Sequence, residues 1–138
     1  MAIVALNKEN FQQQLAKDGI VLIDWWAPWC GPCRMFGPTY EKVSEKHPDI
    51  TFAKVNTEDE QELAASFDIR SIPTLMILRD HVLVFAQPGA LPESALENLV
   101  SEVRKLDMDK VRAEIAEHDK QHPDEHDKQH PDRSASGG

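Results

Sequence analysis

Cysteine is scarce in this chain, and both residues of that type lie together: only two occur in 138 residues, at positions 30 and 33. A chain of this length suits one domain and can bury a core without disulfide staples, which leaves the pair free for chemistry. Long apolar runs are also missing. No segment has the roughly 20 apolar residues that cross a bilayer, and Met1 to Glu9 has neither the basic lead nor the apolar length of a secretory leader. A cytoplasmic address is therefore expected, in a compartment that keeps thiols reduced. Positive charge is in deficit, with 15 Lys and Arg against 24 Asp and Glu and a formal net charge of -9. That balance disfavours nucleic acid and anionic membranes as partners, because both would repel the chain.

What is present is concentrated in Trp29-Cys30-Gly31-Pro32-Cys33, which follows the apolar run Val21 to Trp26. If a helix begins after Cys30, the two thiols stand one turn apart, where side-chain neighbours approach to about 5–6 Å and a small adjustment closes a disulfide. One site can then hold both the dithiol and the disulfide. A purely structural disulfide would gain little from closing so short a loop, and a lone pair of cysteines supplies two of the four ligands that structural zinc takes.

The hydrophobic pattern alternates strand and helix. A short strand is expected at Ala2 to Ala5, then a helix from Lys8 to Lys17 capped by Asn7, with Phe11 and Leu15 on one face and Gly19 beyond its end. Val21 to Trp26 is too short for a typical helix and reads as a strand covered on both faces, at the centre of the sheet. The helix after Cys30 should run to Lys46, offering Met35, Tyr40 and Val43 to the core, with Pro38 removing a backbone donor and kinking it. A strand at Thr51 to Asn56 and a helix at Glu60 to Phe67 follow. Strands at Thr74 to Leu78 and Val82 to Ala86, joined through Arg79-Asp80-His81, predict an antiparallel hairpin. A last amphipathic helix opens near Pro92 and carries Leu96, Leu99, Val100 and Val103 inward. The expected class is α/β: a central mixed sheet with helices on both faces.

Two blocks of sequence carry a family resemblance. Ile23-Asp24-Trp25-Trp26-Ala27-Pro28-Trp29-Cys30-Gly31-Pro32-Cys33-Arg34-Met35 resembles the active-site segment of the thioredoxin family, and Ile69-Arg70-Ser71-Ile72-Pro73-Thr74 resembles its cis-proline loop. The resemblance spans about residues 2 to 105. It implies the thioredoxin fold and a protein-disulfide reductase with no bound cofactor, its redox centre being Cys30 and Cys33. The implied partners are disulfide-containing clients and a thioredoxin reductase drawing on NADPH, and a monomer is expected. The Gly-Pro pair between the cysteines sides with the reductants, since the isomerase and oxidant branches of the family usually place histidine before the second cysteine. The alternatives are a redox-linked chaperone or client-binding module using the C-terminal extension, and a disulfide isomerase or oxidant.

Roles follow for particular residues. Cys30, at the helix N-terminus, meets unpaired N–H groups and the positive end of the helix dipole, which favour its thiolate as nucleophile; Cys33 resolves the mixed disulfide. Asp24, an acid inside the central strand, should have its pKa raised by burial and serve as proton acceptor for Cys33, although a structural ion pair is the alternative. Lys54 matches the family lysine near that carboxylate and should oppose part of the shift. Trp29, Gly31, Pro32, Ile72, Pro73 and Gly89 match the client-docking surface, with Ile72 offering its backbone to an extended substrate segment. An ordinary turn explains Gly89 equally well. Trp25 and Pro28 depart from common family residues near Cys30 without removing a reacting group, and Ser71 replaces a common family glycine in the docking loop.

Beyond Leu106 the composition changes. The expected division is a domain at 1–106, a helical extension at 107–117 with Met108, Val111 and Ile115 as a thin apolar stripe, and a disordered acidic tail at 118–138. The tail repeats Glu-His-Asp-Lys-Gln-His-Pro-Asp without change from Glu117 and again from Glu125. Its histidines at 118, 122, 126 and 130 recur at a spacing that could chelate a metal on a helix, but Pro123 and Pro131 interrupt one. No metal site is assigned on this pattern.

Overall fold

The computed structural model describes residues 3–121. Five strands, β1 (Ile3–Ala5), β2 (Ile20–Trp26), β3 (Thr51–Asn56), β4 (Thr74–Arg79) and β5 (Val82–Pro88), form one sheet in the order β1-β3-β2-β4-β5. β1, β3 and β2 run parallel, whereas β4 and β5 run antiparallel to their neighbours. β2 is thus the middle strand, as its continuous apolar character requires.

Side chains alternate across β2 and divide the core in two. Ile20 and Leu22 point to one face, where α2 (Gly31–Lys46) and α4 (Glu93–Arg104) bring Phe36, Tyr40, Val43, Leu96, Val100 and Val103 onto the sheet. Val21, Ile23 and Trp25 point to the other, packed by Phe11 and Leu15 of α1 (Phe11–Leu15) and by Leu63, Ala64 and Phe67 in and beside α3 (Gln61–Ser66). Trp25 is fully buried there, its ring 6.0 Å from Phe11 and 5.6 Å from Phe67, and its Nε1 donates to Met76 Sδ at 3.0 Å. A larger indole is accommodated because its polar atom has found a partner.

Several local expectations change. α1 begins at Phe11 rather than Lys8, because Asn7 and Asn10 each accept the other's backbone N–H, at 2.9 and 2.8 Å, and hold the intervening residues in a turn. On α2 the inward stripe is Cys33, Phe36, Tyr40 and Val43, and Met35 is 77% exposed. The spacing of three and four residues that begins at Cys33 selects Phe36 and passes over Met35. The β4–β5 link is a two-residue turn in which Asp80 and His81 both have positive φ, 49° and 73°. Such a turn follows the strands' twist, and Asp80 is held further by exchanging hydrogen bonds with Gly19.

The C-terminal extension is helical, α5 (Met108–Gln121), with Met108 buried. It continues through His118, Asp119 and Lys120, which composition assigns to the tail; the repeat beyond Gln121 lies outside the described residues. One side chain fastens the junction before α5. Arg79, at the end of β4, donates through Nη1 to the carbonyls of Val103, Arg104 and Leu106 at 2.8, 3.2 and 2.6 Å. It adds a charged donor to carbonyls in and just beyond the last turn of α4, of which Val103 also accepts the Leu106 N–H at 3.3 Å. Arg79→Met keeps much of the apolar stem and removes those donors. We expect a loss of about 2–3 kcal/mol in chemical denaturation, from charge-assisted bonds to partly buried carbonyls, with faster amide exchange along α5. Unchanged stability would show that solvent replaces the guanidinium freely.

Candidate active site

The path from β2 to α2 builds the site. β2 ends at Trp26, Ala27 is buried, and the Cys30 N–H returns to the Ala27 carbonyl at 3.2 Å, so the chain turns sharply before α2. Cys30 is the N-cap of α2, with extended backbone and its sulfur accepting the Cys33 N–H at 3.2 Å. Pro32 sits in the first turn, where its missing N–H costs no helical bond. Cys30 and Cys33 are joined as a disulfide, with Cα atoms 5.2 Å apart. Both are nearly buried, at 5% and 3% exposure, so burial barely separates the two sulfurs in this oxidised state.

Over the sulfurs lies the loop before β4. The Ile72–Pro73 peptide is cis, and the Ile72 carbonyl oxygen is 3.7 Å from Cys30 Sγ. Ile72 and Trp26 pack against the cluster of Ala27, Cys30 and Cys33. Gly89, with φ of 112°, donates its N–H to the Pro73 carbonyl at 2.8 Å and leaves open space where a Cβ would stand. Trp29 is 65% exposed, and Pro32 is exposed beside it. The sequence-selected residues Trp29, Gly31, Pro32, Ile72, Pro73 and Gly89 therefore all belong to the loops and helix start around the disulfide or to the segment bonded to them.

Asp24 and Lys54 lie beneath the pair. They are register partners on adjacent parallel strands, and alternation turns both towards α2 on the face of Leu22 and Phe52. With Trp26, Cys33, Arg34, Gly37, Tyr40 and others they line a cavity of about 260 Å³ between sheet and helix. Asp24 is 4% exposed, and its Oδ1 is buried without a hydrogen-bond partner among the described residues. Burial pushes its pKa up to about 7, against a smaller opposing pull from the Lys54 ammonium. The Lys54 Nζ also stands 5.2 Å over the Trp26 ring, so the cation is shared between carboxyl and indole. Two members of this cavity escaped the sequence reading: Tyr40 appears there only as a core residue, and Trp26 only as the end of the middle strand. The alternation of β2 and the seven-residue step from Cys33 carry the signal for both.

Among the described residues no group of three or more His, Cys, Asp or Glu is gathered to hold a metal, and no helix is long and apolar enough to cross a membrane. A reversible cysteine pair at a helix N-terminus, set on a mixed sheet with a buried acid below it, defines a thiol-disulfide oxidoreductase. Comparison with known proteins specifies which kind. The family model described as Thioredoxin matches residues 2–102. A protein of Streptomyces coelicolor named Putative thioredoxin 2 is 58% identical over 118 residues, covering 86% of this chain and 88% of its own. Thioredoxin 1 of Synechococcus elongatus is 42% identical over 68% of this chain and 90% of its own, and Thioredoxin of Bacillus subtilis 38% identical over 73% and 97%. The chain belongs to the thioredoxin family. It is a protein-disulfide reductase of the kind that works through its own redox-active disulfide and a mixed-disulfide intermediate, with no bound cofactor.

The buried carboxyl makes a test of the electrostatics. The folded protein binds the Asp24 proton more tightly than the unfolded chain does, so its cost to stability grows above about pH 4 and is complete above about pH 7. Asp24→Asn should therefore stabilise the oxidised protein at pH 8 by on the order of 3 kcal/mol, and the gain should vanish near pH 4. Denaturant titrations at the two pH values measure this. A gain equal at both would mean that the carboxyl is not penalised by burial.

Proposed function

We propose that Cys30 is the attacking sulfur and Cys33 the resolving one, with Asp24 taking the proton that Cys33 must lose. The observation that supports this assignment is the placement of the two sulfurs: Cys30 caps α2 and accepts a backbone N–H, while Cys33 borders the cavity that holds Asp24. In the reduced protein the Cys30 thiolate, favoured by the helix N-terminus, attacks one sulfur of a client disulfide. A bond forms between Cys30 and that sulfur, and the other client sulfur leaves as thiolate and takes a proton. Cys33 then passes its proton to the Asp24 carboxylate and attacks Cys30 Sγ. The second client thiol departs, and the two electrons gained by the client have come from the cysteine pair. The Asp24 proton returns to solvent through the cavity, and Lys54 keeps the carboxyl from becoming so basic that it never releases it.

Docking is by main chain and by a small apolar surface. The Ile72 backbone, next to Cys30 and held by Pro73, pairs with an extended client segment, Gly89 leaves room for that segment, and Trp29, Gly31 and Pro32 meet its flanks. Recognition through backbone groups fits a range of clients. The oxidised pair is returned to dithiol by a thioredoxin reductase supplied with NADPH, in the cytoplasm, and the protein acts as a monomer. Residues 1–106 carry the chemistry, with α5 as a helical accessory.

Two measurements test the assignment. Equilibration against defined dithiol and disulfide buffers should give a potential near the family's value of about -270 mV; one near the about -120 mV of strong oxidants would transfer the function to oxidation. Cys33→Ser should accumulate a mixed disulfide with a client through Cys30, whereas Cys30→Ser should form none. The opposite pattern would reverse the two roles.

A further inference from the structure

Among the described residues, the large hydrophobic side chains left exposed are Trp29, Met35 and Leu83. Leu83 lies on β5, away from the sulfurs in sequence, whereas Trp29 directly precedes Cys30 and Met35 follows Cys33 by two residues. A single exposed apolar side chain is ordinary on any protein surface. Two of them bracketing a reacting pair of cysteines form apolar surface where a partner must come. Trp29 belongs to the docking surface described above, and Met35 has no task in the exchange.

Helix geometry sets where Met35 stands. Cys33 and Phe36 point inward from α2, so the helical period turns Met35 out to solvent. A helical side chain leans towards the helix N-terminus and covers the turn before its own Cα, three and four residues back. For Met35 those residues are Pro32 and Gly31, the pair between the two cysteines. Pro32 is exposed, and the place of a Cβ at Gly31 is open space. Gly31 therefore leaves a gap in the first turn of α2, with Met35 one turn above it and the Cys30–Cys33 disulfide at its end.

We propose that Met35 is a specificity-determining residue of the reduction: it continues the surface of Trp29, Gly31 and Pro32 along α2 and favours clients with an apolar side chain beside the reacting cysteine. This role rests on the docking of an extended client segment at Cys30. The occupant follows from continuity, because a segment that brings its sulfur to Cys30 lays its flanking residues over the first turn of α2. A side chain there that covers Gly31 and meets Met35 withdraws apolar area on both partners from water, whereas a polar flank gains nothing. Backbone pairing at Ile72 is blind to side chains and cannot draw this distinction. The unbranched, polarizable thioether adapts to flanks of different shape, so the preference is for apolar character and not for one residue.

Two disulfide peptides test this, identical except that the residues next to their cysteines are leucine in one and asparagine in the other. The ratio of their kcat/KM values is compared in the full-length wild type, Met35→Gln and Met35→Leu. Both substitutes are good helix formers, so α2 keeps its conformation. We expect the preference for the leucine peptide to fall about fivefold in Met35→Gln, through KM, and to hold in Met35→Leu. The reduction potential of the cysteine pair, which involves no client, should be the same in all three. A ratio unchanged in Met35→Gln, or lowered as far in Met35→Leu, overturns the proposal. Capture of both peptides at Cys30 by Cys33→Ser separates the two readings. If both are captured and the ratio ignores Met35→Gln, docking at Cys30 stands and the role of Met35 falls; if neither is captured, the docking reading fails and takes the proposal with it.

Discussion

The parallel register of β2 against β3 is the constraint on which the site depends. It sets Asp24 beside Lys54 and, by alternation, turns both under α2 while Val21, Ile23 and Trp25 fill the opposite core. A slip by one residue would exchange the faces, placing Trp25 under the dithiol and the carboxyl among Phe11 and Phe67. Apolar side chains on both sides oppose such a slip, so the two cores that stabilise the sheet also fix where the acid lies. Chemistry and folding share one alignment.

That alignment carries a local conflict. A carboxyl in the middle strand is poorly solvated, and the nearest cation is partly engaged by the Trp26 ring. The fold tolerates this because the surrounding sheet is over-determined: β2 is bonded on both edges, and α2 is pinned at its start by Cys30 and along its length by Phe36, Tyr40 and Val43. The same desolvation that makes the site costly places the titration of Asp24 near neutrality, where a proton can be both taken and returned.

Much of this was legible in the sequence because it is carried by local signals. The two cysteines and their neighbours mark the helix start, and the run from Val21 to Trp26 marks the middle strand. The errors lie where distant or competing groups decide. Asn7 and Asn10 bond to each other and delay α1, which helix propensity does not foresee. Met35 and Phe36 are equally apolar neighbours, and only the position of the sheet below α2 selects Phe36. Arg79 looks like an ordinary turn-flanking charge until the fold brings the end of α4 to it. Tyr40 is legible as core, but the bond from its hydroxyl to the Ala53 carbonyl is a distant contact that no local pattern announces.

β4 connects two regions that sequence alone leaves unrelated. It leaves the Ile72–Pro73 turn over the disulfide and ends at Arg79, which holds the segment leading into α5. Six extended residues make a strut of about 20 Å, stiffened by a hydrogen-bonded strand on each side. The root of the C-terminal helix is thus anchored about one strand-length from the loop over the sulfurs. The disulfide and the root of the extension therefore stand at opposite ends of one strand, joined through the middle of the sheet and not through a loop.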